Sequence, residues 1–85
     1  MNINMFWNNL KKYEGETFQT VSGLPFVYEF IGESTIRVNR ANQSISKSNF
    51  VKALERMPLT GPGEISGLVR GSAYVYALIT DERMQ

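Results

Sequence analysis

The stretch FVYEFIGESTIRVNR, residues 26–40, decides the fold because two alternating runs lie on either side of a short turn. In the first run Phe26, Tyr28 and Phe30 occupy every second position, which places three rings on one face of a strand. The second run, TIRVNR at 35–40, alternates branched apolar residues with polar ones, as a half-buried strand does. The stretch therefore predicts an antiparallel hairpin.

A third strand is expected immediately before this hairpin. The segment ETFQTV, residues 16–21, is rich in strand-forming residues, and the turn SGLP separates it from the aromatic run. These segments predict a three-stranded antiparallel meander over 16–21, 26–31 and 35–40. Since a meander needs one face covered, the aromatic face is predicted to be core.

A helix is predicted before the sheet, from about Asn4 to Glu14. Its apolar residues recur at helical spacing. Asn2 or Asn4 can cap its start, and Gly15 is placed for a left-handed stop. The residues of the apolar stripe are Ile3, Phe6, Trp7, Leu10 and Tyr13.

A second helix is predicted after the sheet, from the N-cap Ser46 to Met57. The preceding RANQS, residues 40–44, is interpreted as a polar connection. Ile45 before the cap and Phe50 in the first turns form a hydrophobic staple. The proline that follows Met57 ends the helix.

The remaining chain is predicted to be a loop and a last helix. Residues 58–71 are rich in glycine and proline, with a short helical turn over 62–68. Residues 72–80 combine strand-forming side chains with helical spacing after Ser72, so a helix is expected and a strand is the alternative. Residues 81–85 are expected to be a frayed tail. The predicted class is α+β.

Composition limits the functions that the chain can have. The 85 residues are enough for one small domain. Cysteine and histidine are absent, which excludes disulfides, the usual zinc sites and histidine-dependent nucleophiles. We therefore expect no enzyme, metal or cofactor, and we expect a cytoplasmic protein without a secretory signal or membrane span.

Charge is distributed unevenly and indicates one candidate site. Residues 34–56 carry five basic side chains and one acid. If they share one surface, nucleic-acid phosphates are the expected partner; the alternative is a solvated helix face on which Lys52 pairs with Glu55. Arg70, between two glycines, is expected to anchor its loop or to contact a partner. The five predicted phosphate-contacting residues are Arg37, Arg40, Lys47, Lys52 and Arg56.

The first helix suggests a different candidate interface. Phe6 and Trp7 belong to an apolar surface that is wide for a helix packing on so small a sheet. Small chains without disulfides often gain stability by association. A protein-protein interaction or homodimerisation module that uses this helix, through Phe6 and Trp7, is therefore the alternative function, while two lysines are too few to favour membrane attachment.

Overall fold

Within residues 2–85, three α-helices and two antiparallel sheets form the fold, and the α+β class with a helix at each end is confirmed. The computed structural model describes residues 2–85. The last helix forms as expected, so the alternative of a strand there is wrong. The elements are α1 Ile3–Lys12, β1 Phe18–Gln19, β2 Pro25–Phe26, β3 Tyr28–Phe30, β4 Thr35–Val38, β5 Gln43–Ser46, α2 Lys47–Leu54, a 3₁₀ turn Pro62–Ile65, α3 Ser72–Thr80 and a 3₁₀ turn Glu82–Met84.

The three-stranded sheet lies one segment later in the chain than predicted. Its order is β3-β4-β5, whereas β1 pairs only with β2 in a separate two-stranded sheet. The aromatic run is therefore divided at Val27, whose N–H donates to the Asn39 side chain at 2.8 Å. Before Val27 the chain pairs with β1, and after it the chain pairs with β4.

The third strand of the meander is β5, although residues 40–44 were predicted to be a polar connection and Ile45 and Ser46 to lead into α2. Ile45 pairs with Ile36 on β4 and is fully buried. The two serines of β5 alternate with it and point away from the core, so the segment does follow the period of a strand. Only one apolar residue marks this pattern, which is why local propensity did not reveal it.

Helix ends follow the predicted caps at α1 but only in part at α2, and the N-cap of α3 is Gly71 rather than Ser72. Asn2 accepts a hydrogen bond from the N–H of Met5 at 2.8 Å, and Gly15 adopts the left-handed conformation after α1. Ser46 is the N-cap residue of α2, although its hydroxyl bonds to side chains rather than to backbone N–H groups. This helix ends at Leu54, one turn before the predicted Met57.

The helices cover the apolar face of the three-stranded sheet. Phe6 and Trp7 of α1 both contact the ring of Phe50 on α2, with centroids 5.3 and 5.5 Å apart. The Trp7 indole N–H donates to the Glu33 carbonyl at 2.8 Å, which ties α1 to the β3–β4 turn. The core therefore includes residues of all three helices and both sheets.

Residues 81–85, which we call the C-terminal segment, pack against the core instead of fraying. Met84 is fully buried, and its carbonyl accepts a hydrogen bond from Asn9 at 3.0 Å. Arg83 lies 3.6 Å from the ring centroid of Phe18. Hydrogen bonds from the Arg83 side chain also lower the pKa of Asp81. The prediction of a frayed tail is wrong because one buried methionine and one stacked arginine dock the segment.

The outer edge of β3 is occupied by the connection that follows α1. The N–H of Gly15 donates to the Tyr28 carbonyl at 3.3 Å, and the carboxylate of Glu14 accepts from the N–H of Phe30 at 2.6 Å. Backbone groups that would otherwise face outward from the sheet are thus bonded within the chain.

Tyr28 connects the sheet to α1 through a buried hydroxyl. Its O–H donates to the Leu10 carbonyl at 2.6 Å, and the residue is 1% exposed. Burial, and secondarily the nearby Glu14 carboxylate, raise the pKa of Tyr28 well above its usual range. The unfolded chain would therefore lose this proton near pH 10 while the folded chain keeps it.

We expect Tyr28→Phe to lower the free energy of unfolding by about 1 to 2 kcal/mol at neutral pH, because the Leu10 carbonyl loses its donor. The contribution of Tyr28 to stability is full below pH 10 and falls by up to about 1.4 kcal/mol per pH unit above it. Urea denaturation at neutral pH and between pH 10 and 11 measures both effects. A Tyr28→Phe protein that loses stability above pH 10 as steeply as the parent would contradict this role.

Candidate functional site

The outward surface of the three-stranded sheet is polar within its strands and accessible to solvent, with the apolar residues Val27 and Ile31 at the two ends of β3 on the same side. Its side chains alternate with the buried residues of the same strands, so they lie on the face opposite the core. All of them are exposed or partly exposed. We call this surface the open sheet face; its residues are Glu29, Thr35, Arg37, Asn39, Ser44 and Ser46.

Arg37 lies in the middle of the open sheet face. It pairs across the sheet with Glu29 on one side and Ser44 on the other. Its guanidinium contacts the Glu29 carboxylate at 3.2 Å, and the two side chains are 44% and 62% exposed. Such an exposed pair is worth at most about 1 kcal/mol. The guanidinium can therefore exchange this carboxylate for another anion at little cost.

A depression of about 390 Å³ adjoins one end of the face, where β4 continues into the β4–β5 turn. Its walls include the apolar Val27 and the acidic Glu29 as well as Arg37, Asn39 and Asn42. A neighbouring depression shares Asn39 and is lined by Arg40, whose Nε donates to the Pro25 carbonyl at 2.8 Å. Arg37 and Arg40 therefore flank adjoining parts of one surface.

A smaller notch of about 240 Å³ lies at the other end of the face. Arg70 reaches it from the loop before α3, and its backbone N–H donates to the Asn49 side chain at 3.2 Å. Within residues 2–85 the Arg70 guanidinium has neither a hydrogen bond nor an ion pair. We call this depression the Arg70 notch; its lining residues are Thr35, Ser44, Ser46, Asn49 and Arg70.

The remaining predicted phosphate-contacting residues lie on or just beyond α2. Lys47 packs against the Trp7 ring, with its Nζ 5.6 Å from the centroid. Lys52 is exposed and follows Asn49 by three residues, so it lies on the same side of α2 as the Arg70 notch. Arg56 is exposed in the turn after the helix. The structure thus groups Arg37 with Arg40 on the sheet and directs Lys47 to the other side of α2.

Both residues of the predicted protein interface lie in the core of this chain. Phe6 is 0% and Trp7 3% exposed. Met5, at 53% exposure, is the large apolar side chain that α1 presents to solvent. Homodimerisation through α1 stays a prediction, and it would have to use Met5 rather than the two rings.

Sequence reasoning missed part of this site. The outward serines of β5 were hidden because that segment was not recognised as a strand. Arg70 was considered mainly as a loop anchor; its backbone does anchor the loop, while its side chain is exposed. The alternation of Ile45 with serines was the one signal that could have placed these hydroxyls beside Arg37.

The described residues offer neither a metal-binding cluster nor a membrane-spanning helix. Across residues 2–85, acidic side chains do not come together in a group of three that could hold a metal ion. In the same residues no helix combines the length and apolarity needed to cross a bilayer.

Comparisons with known proteins found no similar chain. No protein-family model matches the sequence, and neither the curated proteins nor the solved structures contain a significant match. The function proposed below therefore depends on the geometry of the chain's own residues.

Proposed function

We propose that this chain is a non-enzymatic cytoplasmic interaction domain that contacts nucleic-acid phosphates through the open sheet face. The observation that carries the proposal is an exposed sheet surface with Arg37 at its centre and with Arg40 and Arg70 lining depressions at its two ends. Arginine binds phosphate through paired N–H groups, and serine, threonine and asparagine are common phosphate contacts.

The dimensions of the face suit a polyanion. The four residues of β4 span about 10 Å, since a strand rises about 3.3 Å per residue. The arginines near its two ends can therefore reach different phosphates of one strand. Glu29, the acid within the face, already pairs with Arg37. Lys52 extends the basic surface along α2.

We expect the double variant Arg37→Gln/Arg40→Gln to bind nucleic acid more weakly. Two lost phosphate contacts should reduce the slope of log affinity against log salt by about 2 for duplex DNA, with a smaller reduction for single strands. Fluorescence anisotropy with a labelled short duplex DNA and a single-stranded RNA, between about 50 and 200 mM salt, measures this slope.

The double variant Lys11→Gln/Lys12→Gln is the matched control, because it removes the same charge from exposed positions at the end of α1. It should retain nearly all of the affinity. Equal losses in the two double variants would show that net charge alone controls binding. Undetectable binding of the parent to both probes at 50 mM salt would overturn the proposal.

A single substitution at Glu29 tests the role of Arg37 in the opposite direction. Glu29→Gln releases the Arg37 guanidinium from its carboxylate partner. Since an exposed pair is worth at most about 1 kcal/mol, affinity for either probe should rise by up to about fivefold. A decrease in affinity would mean that the Glu29 pair orients Arg37 for binding rather than competing for it.

A further inference from the structure

We infer that the Arg70 notch is a preformed subsite for a single phosphate group. This inference rests on the proposed function, because it assigns one phosphate of the nucleic acid to a definite place on the open sheet face. The same chemistry would also accept the phosphate of a free phosphate ester. The experiment below separates these two sources.

The composition of the notch matches an anion. Its lining residues are one arginine, one threonine, two serines and one asparagine, and no acidic residue is among them. The Arg70 guanidinium has no protein acceptor within residues 2–85, in contrast to Arg37, which bonds to Glu29, and Arg40, which bonds to the Pro25 carbonyl. A phosphate bonded to Arg70 would therefore displace no partner in the chain.

The walls of the notch are held in place by the side chain of Asn49. Its carbonyl oxygen accepts from the backbone N–H of Arg70 at 3.2 Å, and its NH₂ group donates to the Ser46 hydroxyl at 3.0 Å. One carboxamide thus connects the loop before α3, the start of α2 and the end of β5. Gly71 also lies against Ile45, which fixes the base of Arg70 beside the sheet. Such a site loses little conformational freedom on binding.

The arrangement also offers donors on two sides. The notch is an open depression of about 240 Å³, and its hydroxyls come from adjacent strands, since Thr35 pairs with Ser46 and Arg37 with Ser44. A tetrahedral anion can accept bonds from the guanidinium on one side and from strand hydroxyls on the other. Chloride accepts the same bonds but cannot bridge the two sides, so we expect phosphate to be preferred at equal ionic strength.

The test is an NMR titration of the ¹⁵N-labelled protein with inorganic phosphate, at constant ionic strength maintained with chloride. We expect saturable shifts of the backbone amides of Ser44, Ser46, Asn49 and Arg70, while the distant hairpin around Gly23 stays unchanged. Arg70→Gln should weaken phosphate binding on the order of tenfold, and Arg70→Lys should weaken it less, because it keeps the charge without the paired donors. Shifts spread over all cationic residues, or unaltered by Arg70→Gln, would overturn the inference.

Matched variants separate this inference from the proposed function. Ser44→Ala removes a hydroxyl of the notch and should weaken phosphate binding, whereas Arg40→Gln, which removes a cation outside the notch, should not. If phosphate saturates the notch but nucleic acid does not bind, the proposed function fails. The inferred subsite is then retained, with a free phosphate ester as its ligand. If nucleic acid binds but phosphate does not, or Arg70→Gln leaves nucleic-acid affinity unchanged, the subsite fails and the proposed function stands.

Discussion

Replacing Met84 with alanine is expected to lower the free energy of unfolding by about 2 to 5 kcal/mol. The side chain is fully buried, and the carbonyl of the same residue is bonded to Asn9. Truncation would leave a cavity where the C-terminal segment meets α1 and the core. For a chain of 85 residues the melting temperature should fall by about 10 °C or more. Urea denaturation and thermal unfolding followed by circular dichroism measure the two quantities.

Met5→Ala is the control for this substitution, because the same side chain is removed from a position that is 53% exposed. Its effect should remain within about 0.5 kcal/mol. If the two alanine variants were equally stable, the C-terminal segment would not be docked in solution, and the frayed tail expected from the sequence would be the better description.

Replacing Gly71 with alanine is expected to lower the free energy of unfolding by about 2 to 5 kcal/mol, from two separate sources. Gly71 has φ +64°, a left-handed conformation that costs a residue with a Cβ about 1 to 2 kcal/mol. A Cβ at this position would also lie 2.8 Å from Cδ1 of Ile45 and 3.1 Å from Oε1 of Gln43. Overpacking of this kind typically costs about 1 to 3 kcal/mol.

Two further variants separate these sources. Gly67→Ala is the control, since its Cβ would meet nothing within 4 Å and its φ is not in the left-handed region; its effect should stay below about 1 kcal/mol. Ile45→Val removes the Cδ1 that the new Cβ would meet. If the clash contributes, Gly71→Ala should be less costly in the Ile45→Val background than in the parent. Strictly additive effects would mean that the contact with Ile45 Cδ1 adds nothing, which leaves backbone strain and the Gln43 contact as the sources of the cost.

The first two helices could be predicted from the sequence because their signals are local. Asn2 and Gly15 lie at the two ends of α1, Ser46 begins α2, and both helices carry an apolar stripe, whereas the signals for α3 were divided between helix and strand. The sheet was predicted less well because pairing depends on residues distant in the chain. Nothing within the aromatic run shows that it changes partners at Val27, which bonds to a side chain twelve residues away.

The candidate site was predictable only in part for the same reason. Alternation along β4 placed Arg37 on the solvent side, and the structure agrees. Arg70 joins that surface only through the bond between its backbone and Asn49, over a separation of 21 residues. Contacts over such distances are set by how the helices pack on the sheet, and composition and periodicity do not record that packing.

The bonds that Glu14 and Gly15 make to β3 also bear on how the protein behaves at high concentration. Fibrils grow when a strand of one molecule hydrogen-bonds to an unpaired strand of the next. At β3 an incoming strand would first have to displace a carboxylate and a backbone amide of the same chain. The connection after α1 therefore protects this hydrophobic strand from templated aggregation, a role that no local feature of Glu14 would suggest.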